Sequence, residues 1–214
     1  MPAKKDSKYK PGKIRGENVD TIIDAAEVEF ATYGYRGATM MRIAERAQLP
    51  RPNIHYYFAN KQALYSAILQ RILERWNESF DSISVADDPA EALSRYIHAK
   101  VMLSKTHPLS SKIFATEIIQ GAPHLDEYLS NEHKHWVQQH ADVIRSWIDQ
   151  QKMDPVDPIK LIFLIWSATQ HYADFDYQIL SVLERKAYED DYFDSVASDL
   201  SHIILKGCGL TPQH

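Results

Sequence analysis

The most informative segment of this chain reads Thr39-Met-Met-Arg-Ile-Ala-Glu-Arg-Ala-Gln-Leu-Pro-Arg-Pro-Asn-Ile-His-Tyr-Tyr-Phe58. Its pattern predicts a short helix over about Thr39 to Ala47, whose first residue carries a hydroxyl that can cap it. A break follows at Pro50, and a second short helix runs from Arg51 to Tyr57. Proline is tolerated in the first turn of that helix, where backbone amides have no intrahelical partner. With Ile54 pointing inward, the pair has the pattern of a helix-turn-helix.

The second helix of such a pair fits the major groove of DNA, and its exposed side chains suit that role. Arg51 can donate to guanine and Asn53 can pair with adenine. His55 and Tyr56 suit phosphates or thymine methyl groups. Lys61 starts the next helix, where a cation and helix amides together hold a phosphate. The residues predicted to contact a double-stranded DNA operator are Thr39, Arg42, Arg51, Asn53, His55, Tyr56 and Lys61.

Charge is divided unevenly along the chain. Residues 1–75 carry 13 Lys and Arg against 8 Asp and Glu, whereas residues 76–214 carry 11 against 21. This split predicts a polyanion-binding end joined to a part that repels DNA. Residues 1–15 form a basic arm in which Pro11 opposes helix formation. It is interpreted either as a solubilising disordered tail or as an arm that contacts phosphates and the minor groove.

Composition and motifs argue against several classes of protein. The longest apolar run, Leu161 to Trp166, is too short to span a bilayer, and the N-terminus lacks the apolar core of a secretory signal. The single cysteine, Cys208, permits no internal disulfide and suits the cytoplasm. Glycine-rich phosphate loops, nucleophile elbows and paired metal motifs are missing from the sequence, so neither catalysis nor a cofactor is expected. His133 and His135 point in nearly opposite directions on a helix, so the histidines between residues 124 and 140 are interpreted as a solvated face rather than a metal site.

The spacing of small, aromatic and polar residues is shared with a known family. The pattern is Thr39…Ile43-Ala44…Leu49-Pro50-Arg51…Asn53-Ile54-His55-Tyr56-Tyr57-Phe58…Lys61…Leu64-Tyr65. It resembles the DNA-binding signature of the TetR family of repressors. The resemblance covers about residues 17–65 and implies a homodimer on a palindromic operator. Pro50 stands where many members carry Ser or Thr, so a hydroxyl cap and its phosphate contact are absent.

Beyond Lys61 every strong pattern is helical, which predicts an all-α fold of about nine helices. An N-terminal three-helix DNA-binding domain with the helix-turn-helix precedes a C-terminal bundle for ligand binding and dimerisation. We predict three parts: the basic arm over residues 1–15, the DNA-binding domain over 16–62 and the bundle over 63–214.

The last helix carries an apolar stripe that predicts the dimer interface. Together with the apolar helix over Leu161–Ala173, it offers more apolar face than one small bundle needs, which favours a four-helix interface between two copies. The alternative is that the stripe is monomer core. Its residues are Phe193, Val196, Ala197, Leu200, Ile203 and Ile204.

Three residues spaced four apart, Trp166, Gln170 and Asp174, line one helical face. An indole, an amide and a carboxylate there can bind a flat polar ring by stacking and hydrogen bonds. Alternatively, Gln170 and Asp174 bond neighbouring helices. Further candidate walls of a ligand pocket are Trp76, Phe114 and Glu117.

A second resemblance points to the ligand. The segments His107–Pro123 and Asp157–Phe175 are similar to the pyrimidine-utilisation regulators within the TetR family, which respond to uracil and thymine. The resemblance implies a pyrimidine effector, and the amide of Gln170 matches the alternating donors and acceptors on the edge of uracil. Two alternatives remain open: another planar or apolar effector, and a helical enzyme or small-molecule carrier with a vestigial DNA-binding head.

Control of DNA binding is expected to pass through the long helix over about Lys61 to Ile83. An effector in the bundle would make this helix swing, so that the two recognition helices of a dimer no longer match half-sites about one DNA turn apart.

Overall fold

The structure is a computed structural model that describes the backbone of residues 11–211 and the side chains of residues 16–211. Every regular element within this range is helical, which confirms the all-α fold. The helices are α1 (Pro11–Gly37), α2 (Met40–Ala47), α3 (Arg51–Tyr57), α4 (Lys61–Asp81), α5 (Pro89–Thr106), α6 (Pro108–Ile119), α7 (Asp126–Tyr128), α8 (Lys134–Asp149), α9 (Pro158–Asp174), α10 (Asp176–Val182) and α11 (Tyr192–Gly207). None of these described helices combines the length and apolar character that a bilayer crossing requires.

A π-helical turn, Leu129–His133, joins α7 to α8 without a break. With that junction counted as one segment, residues 11–211 form ten helical segments, one more than the approximate number expected. The extra segment is α10, a short helix for which the sequence offered no clear periodic pattern.

The chain forms two compact units, one that extends through Ile68 and one that begins at Leu69. The boundary falls inside α4, a few residues beyond the predicted boundary between residues 62 and 63. Leu64 and Tyr65 are buried, and the Tyr65 ring lies edge-on to Phe30 at 4.7 Å. The first turns of α4 therefore belong to the core of the N-terminal unit.

The first helix begins earlier than the sequence indicates. α1 starts at Pro11, inside the predicted basic arm, because a proline is tolerated in the first turn of a helix. The remainder of that arm, residues 1–10, lies outside the described residues. Gly34 interrupts α1 with a φ of 66°, a conformation that glycine adopts readily. Tyr33, which directly precedes this glycine, is 48% exposed.

The core of the C-terminal unit is built around α5, which packs against α9 and α11. Both α5 and α9 begin with an aspartate cap followed by a proline. The Asp88 carboxylate accepts a hydrogen bond from the amide of Glu91, and Asp157 accepts from the amides of Ile159 and Lys160. Each such cap contributes about 1 kcal/mol and fixes the residue at which the helix starts.

The stripe on α11 packs mostly inside its own chain, while the four-helix dimer interface remains a prediction. Phe193, Val196, Ala197 and Ile204 are buried within the single chain, and Ile203 is 66% exposed. Most of the stripe is therefore part of the monomer core, because α11 packs against α5.

Candidate functional site

The helix-turn-helix is held by local hydrogen bonds around a tight turn. The Thr39 hydroxyl accepts a hydrogen bond from the backbone amide of Arg42 at 3.3 Å, so the predicted cap of α2 is present. Gln48 ends α2 with a φ of 55°, and the amide of Leu49 donates to the carbonyl of Ala44 at 3.1 Å. This turn sets the angle at which α3 leaves α2.

Helix α3 buries one residue and exposes the rest of its polar face. Ile54 is fully buried, which anchors the helix on the unit. Arg51 and Asn53 occupy the first turn and are exposed, as are His55 and Tyr56 further along. The N-terminal residues of a recognition helix are those that contact base edges, so the first turn offers two base-reading side chains.

Arg42 is exposed on α2, and its guanidinium lies over the ring of Tyr33 at 4.6 Å from the centroid. A cation stacked on an aromatic face keeps its outward-facing donors available. The exposed Tyr33 therefore holds the Arg42 guanidinium at the surface of α2.

Lys61 is placed differently from the expectation that its ammonium holds a DNA phosphate. Its Nζ donates to the carbonyl oxygens of Tyr35 at 2.8 Å and Ala38 at 3.1 Å, and lies 4.7 Å from the centroid of the Tyr35 ring. The ammonium thus satisfies carbonyls in the turn between α1 and α2. Its side chain therefore positions this turn, and the phosphate contact remains a prediction.

The C-terminal unit contains a cavity of about 460 Å³ with largely aromatic walls. Helices α4, α5, α6, α8 and α9 and the π-helical turn all contribute to it. The lining side chains are Leu73, Trp76, Asn77, Tyr96, Lys100, Phe114, Ile118, Leu129, His133, Trp136, Phe163, Trp166, Ser167 and Gln170. A cavity of this size and lining is typical of small-molecule sites.

Two pairs of aromatic rings define the walls. Trp76 and Phe114 meet edge to face at 4.8 Å, and Trp136 stacks beside Trp166 at 6.2 Å. The Trp166 indole N–H donates to the Tyr96 hydroxyl at 2.6 Å, which fixes the orientation of the ring in the cavity wall. Planar ligands bind to the faces of such rings by stacking.

Polar groups in the cavity are few. Within the described part of the chain, the Gln170 amide makes no hydrogen bond to another residue, so both its donor and its acceptor are available. Lys100 lines the cavity although its side chain is only 2% exposed. His133 joins it from the π-helical turn, and burial lowers the pKa of its imidazole.

Two family descriptions match the two units in turn. "Bacterial regulatory proteins, tetR family" matches residues 22–68, and "YcdC-like protein, C-terminal region" matches residues 69–211. The transcriptional regulator RutR of Escherichia coli strain K12 is 34% identical over 186 residues, which cover 87% of this chain and 88% of RutR. The chain belongs to the TetR family of transcriptional regulators.

Solved structures of TetR-like regulators have the same fold. The ketosteroid transcriptional regulator KstR2 of Mycobacterium tuberculosis matches with a TM-score of 0.66 and 19% identity, over 89% of this chain and 94% of KstR2. AibR, solved in complex with isovaleryl coenzyme A and operator DNA, matches with a TM-score of 0.65 and 16% identity, over 92% of this chain and 100% of AibR. At these identities the likeness concerns the fold alone.

Four of the six residues expected to bind the effector of this TetR-family chain line the cavity: Trp76, Phe114, Trp166 and Gln170. The expectation for Glu117 is corrected. It is buried outside the cavity, where its carboxylate accepts a hydrogen bond from the backbone amide of His124 at 2.6 Å and anchors the loop after α6.

The expectation for Asp174 is corrected as well. It lies one turn beyond Gln170 and lines a neighbouring groove, where it accepts a hydrogen bond from the Ser111 hydroxyl at 2.6 Å. Burial raises the pKa of Asp174, and the Ser111 hydrogen bond opposes that rise. The structure therefore agrees with the alternative interpretation, in which Asp174 bonds a neighbouring helix.

Two of the histidines interpreted as a solvated face are not on the surface. His140 is buried, with its ring nitrogens 2.8 Å from the Trp136 carbonyl oxygen and 3.2 Å from that of Phe80. His133 is half-buried in the cavity wall. The described residues contain no group of three side chains suited to hold a metal ion.

An ion pair between the buried Glu29 and the exposed Arg46 joins α1 to α2 in the DNA-binding unit. Glu29 is 3% exposed, and its Oε1 accepts hydrogen bonds from Arg46 at 3.0 and 2.9 Å. Replacing Arg46 with alanine leaves a buried carboxylate without a partner. We expect the variant Arg46→Ala to lower the free energy of unfolding of this unit by about 1–3 kcal/mol.

Urea denaturation followed by circular dichroism measures this loss. The exposed Arg36 provides a matched control, and Arg36→Ala is expected to change the unfolding free energy by less than about 0.5 kcal/mol. Adding Glu29→Leu to Arg46→Ala removes the unpaired charge and is expected to recover much of the stability. Equal stability of Arg46→Ala and the unmodified protein would contradict a stabilising role of this ion pair.

Proposed function

We propose that this TetR-family regulator is a repressor that binds a palindromic operator as a homodimer and responds to a planar pyrimidine such as uracil or thymine. The observation that carries the proposal is the cavity itself. It combines aromatic walls that include Trp76 and Trp166 with the uncommitted amide of Gln170. The role is regulatory rather than catalytic.

Operator binding is supported by the exposed first turn of α3. Regulators of this family bind operator DNA as dimers, and the related AibR was solved with operator DNA. A two-fold dimer presents one α3 to each half-site, with Arg51 and Asn53 toward base edges and Arg42, His55 and Tyr56 toward the backbone. Thr39 caps α2 and orients Arg42.

A pyrimidine effector is supported by the fit between ring chemistry and wall chemistry. Uracil and thymine are flat, so their faces suit the indole and phenyl rings. Their edges alternate carbonyl acceptors with N–H donors, which an amide complements at both its oxygen and its nitrogen. The identity to RutR, a pyrimidine-utilisation regulator, extends over most of the chain and supports the same class of ligand.

Helix α4 supplies the coupling in this proposal. It begins at Lys61, whose ammonium bonds the turn before α2, and it carries Trp76 and Asn77 into the cavity wall. An effector that favours one position of Trp76 favours one course of α4. The effector then shifts the equilibrium away from the operator-competent state. The size of the shift is the difference between its binding free energies for the two states, typically about 1–3 kcal/mol.

Calorimetric titration of uracil and thymine into the purified full-length protein tests the effector. We expect saturable binding, and we expect Gln170→Ala to weaken it about tenfold or more, because the ring edge loses its paired hydrogen bonds. The matched control is Gln139→Ala, which removes an exposed amide from α8. The cavity exceeds one six-membered ring, so the pyrimidine nucleoside uridine is titrated as well.

The outcome separates the candidate functions. Binding that survives Gln170→Ala unchanged would contradict the proposed site, and failure of every pyrimidine to bind would contradict the proposed ligand class. Operator binding is tested with DNA duplexes selected from a random library by the unmodified protein. A palindromic consensus that uracil releases supports the repressor, whereas turnover of a bound compound would favour the carrier or enzyme alternative.

A further inference from the structure

Lys100 is a buried lysine that forms no salt bridge with any described residue. Its side chain is 2% exposed, and its Nζ lies over the Trp76 ring at 4.2 Å from the centroid. Among the described residues, no carboxylate forms a salt bridge with it and no acceptor forms a hydrogen bond with it. Buried charges are ordinarily paired, so this ammonium can donate a hydrogen bond to an acceptor atom of a ligand in the cavity.

Both the charged and the neutral form of the Lys100 amine are present near pH 7. Burial lowers the pKa of the amine to about 7, while the negative charge of Asp174 opposes that change. In the empty cavity at pH 7, the group is therefore divided between the amine and the ammonium ion. An acceptor oxygen placed against Nζ would favour the ammonium form.

A second polar atom in the same cavity also lacks a partner among the described residues. The Nδ1 atom of His133 is buried and makes no hydrogen bond to any described residue. The Tyr96 hydroxyl accepts from Trp166, and its own proton is free to be donated. Lys100, His133 and Tyr96 thus present polar groups to a cavity whose remaining walls are largely apolar.

We propose that Lys100 determines effector specificity: it binds an acceptor oxygen of the effector as an ammonium ion, so that effector binding takes up a proton. This inference rests on the proposed effector role of the cavity. The ligand class is narrowed to planar compounds with an exposed carbonyl or anionic oxygen at the edge that meets Lys100. Uracil and thymine carry two such carbonyls.

Other titratable and charged groups lie on the helices around the cavity. They include Arg75 on α4, Tyr96 on α5, Lys112 and Glu117 on α6, His133 in the π-helical turn and Asp174 on α9. Most of these already have a hydrogen-bond or ion-pair partner, and His133 is kept neutral by its lowered pKa. Arg75 donates to Ser110, Lys112 pairs with Asp176, and Glu117 bonds His124. Burial lowers the pKa of His133, which keeps that ring neutral at pH 7 and above.

The sign of the pH dependence follows from linkage. Where the bound state holds more protons than the free state, affinity falls as pH rises. Below about pH 6 the free protein already carries the proton on Lys100, so affinity reaches a plateau. Between about pH 7 and 8.5 the dissociation constant is expected to rise roughly tenfold, while uracil and thymine themselves remain neutral.

Calorimetric titration of uracil at pH 7.5, in phosphate and in Tris, measures the protons exchanged. Phosphate and Tris differ in ionisation enthalpy. The difference between the binding heats in the two buffers therefore gives the number of protons taken up on binding. We expect uptake of a measurable fraction of one proton per site, because part of the free-state amines lack the proton at that pH. Lys100→Met is expected to abolish the uptake, to weaken binding more than tenfold at pH 6.5, and to leave the remaining affinity independent of pH. His133→Gln is expected to retain the uptake, which assigns the proton to Lys100.

The outcomes separate this inference from the proposed function. Uracil binding without proton uptake, or uptake that persists in Lys100→Met, would overturn the inference and leave the pyrimidine effector standing. Absence of binding by both uracil and thymine at every pH would overturn the two together. Thermal denaturation of each variant verifies that it is folded.

Discussion

The variant Lys100→Met is expected to unfold several degrees above the unmodified protein when no effector is present. In the folded state burial lowers the pKa of Lys100 to about 7, whereas an unfolded lysine has an ordinary pKa near 10.4. Folding at neutral pH therefore requires partial loss of a proton or burial of an unpaired charge. Methionine has a similar length and no charge, so we expect a gain of about 1–3 kcal/mol, or about 3–10 °C in the midpoint.

Differential scanning calorimetry measures this gain, and its pH dependence identifies the cause. Between about pH 7 and 10 the unfolded state of the unmodified protein binds more protons at Lys100 than the folded state, so this group makes the folded state more stable as pH rises. The advantage of Lys100→Met is therefore expected to shrink as pH approaches 10. The matched control is Lys206→Met, which removes an exposed lysine and is expected to change stability by less than about 0.5 kcal/mol. A less stable Lys100→Met variant would show that the ammonium has a stabilising partner.

A second large effect is expected at the DNA-binding face. Arg51→Ala is expected to weaken binding to the selected operator about 10- to 100-fold and to relax sequence selection at one base pair of each half-site. Arg51 is exposed in the first turn of α3, where a guanidinium can bond the O6 and N7 atoms of guanine. One such contact contributes about 1–3 kcal/mol of discrimination, and a dimer makes it twice.

Fluorescence anisotropy with the selected operator and a scrambled duplex, at fixed salt, measures both effects. The matched control is Arg95→Ala, which removes an exposed arginine from α5 and thus the same charge away from α3. It is expected to leave operator affinity within about twofold. An Arg51→Ala variant that binds operator and scrambled duplex with unchanged affinities would contradict base reading by α3.

The DNA-binding unit was predictable because its signals are local. Thr39 caps the helix that follows it directly, and Ile54 is apolar between exposed polar neighbours. The direction of the Lys61 side chain was not predictable in this way. Its ammonium bonds carbonyls of Tyr35 and Ala38, more than twenty positions earlier in the chain, and only the packing of α4 beside that turn brings them together.

The cavity was predictable in part, for a similar reason. Trp166 and Gln170 share a helical face, and the structure puts both in the cavity wall. Asp174 shares that face too but lies one turn beyond the cavity. Helical periodicity gives the direction of a side chain, but it does not tell how far along the helix the cavity extends. Whether the lining residues bind a pyrimidine remains a prediction.

Lys100 was missed although the sequence contained a signal for it. It follows Tyr96 by four positions and Ile97 by three, so it lies on the buried stripe of α5. A charged residue within an apolar stripe indicates either a paired core charge or a functional site. His133 offered no comparable signal, because the π-helical turn shifts the register that α-helical spacing assumes.

That turn has a consequence for how effector preference changes during evolution. The π-helical segment Leu129–His133 holds one residue more per turn than an α-helix would, and loss of one codon there rotates the preceding residues by about 100°. Leu129 would then leave the cavity while α8 kept its packing. A lineage can exchange part of its recognition surface through a single insertion or deletion, without rebuilding the core. Descendants that respond to different compounds are therefore expected to differ in length at this turn.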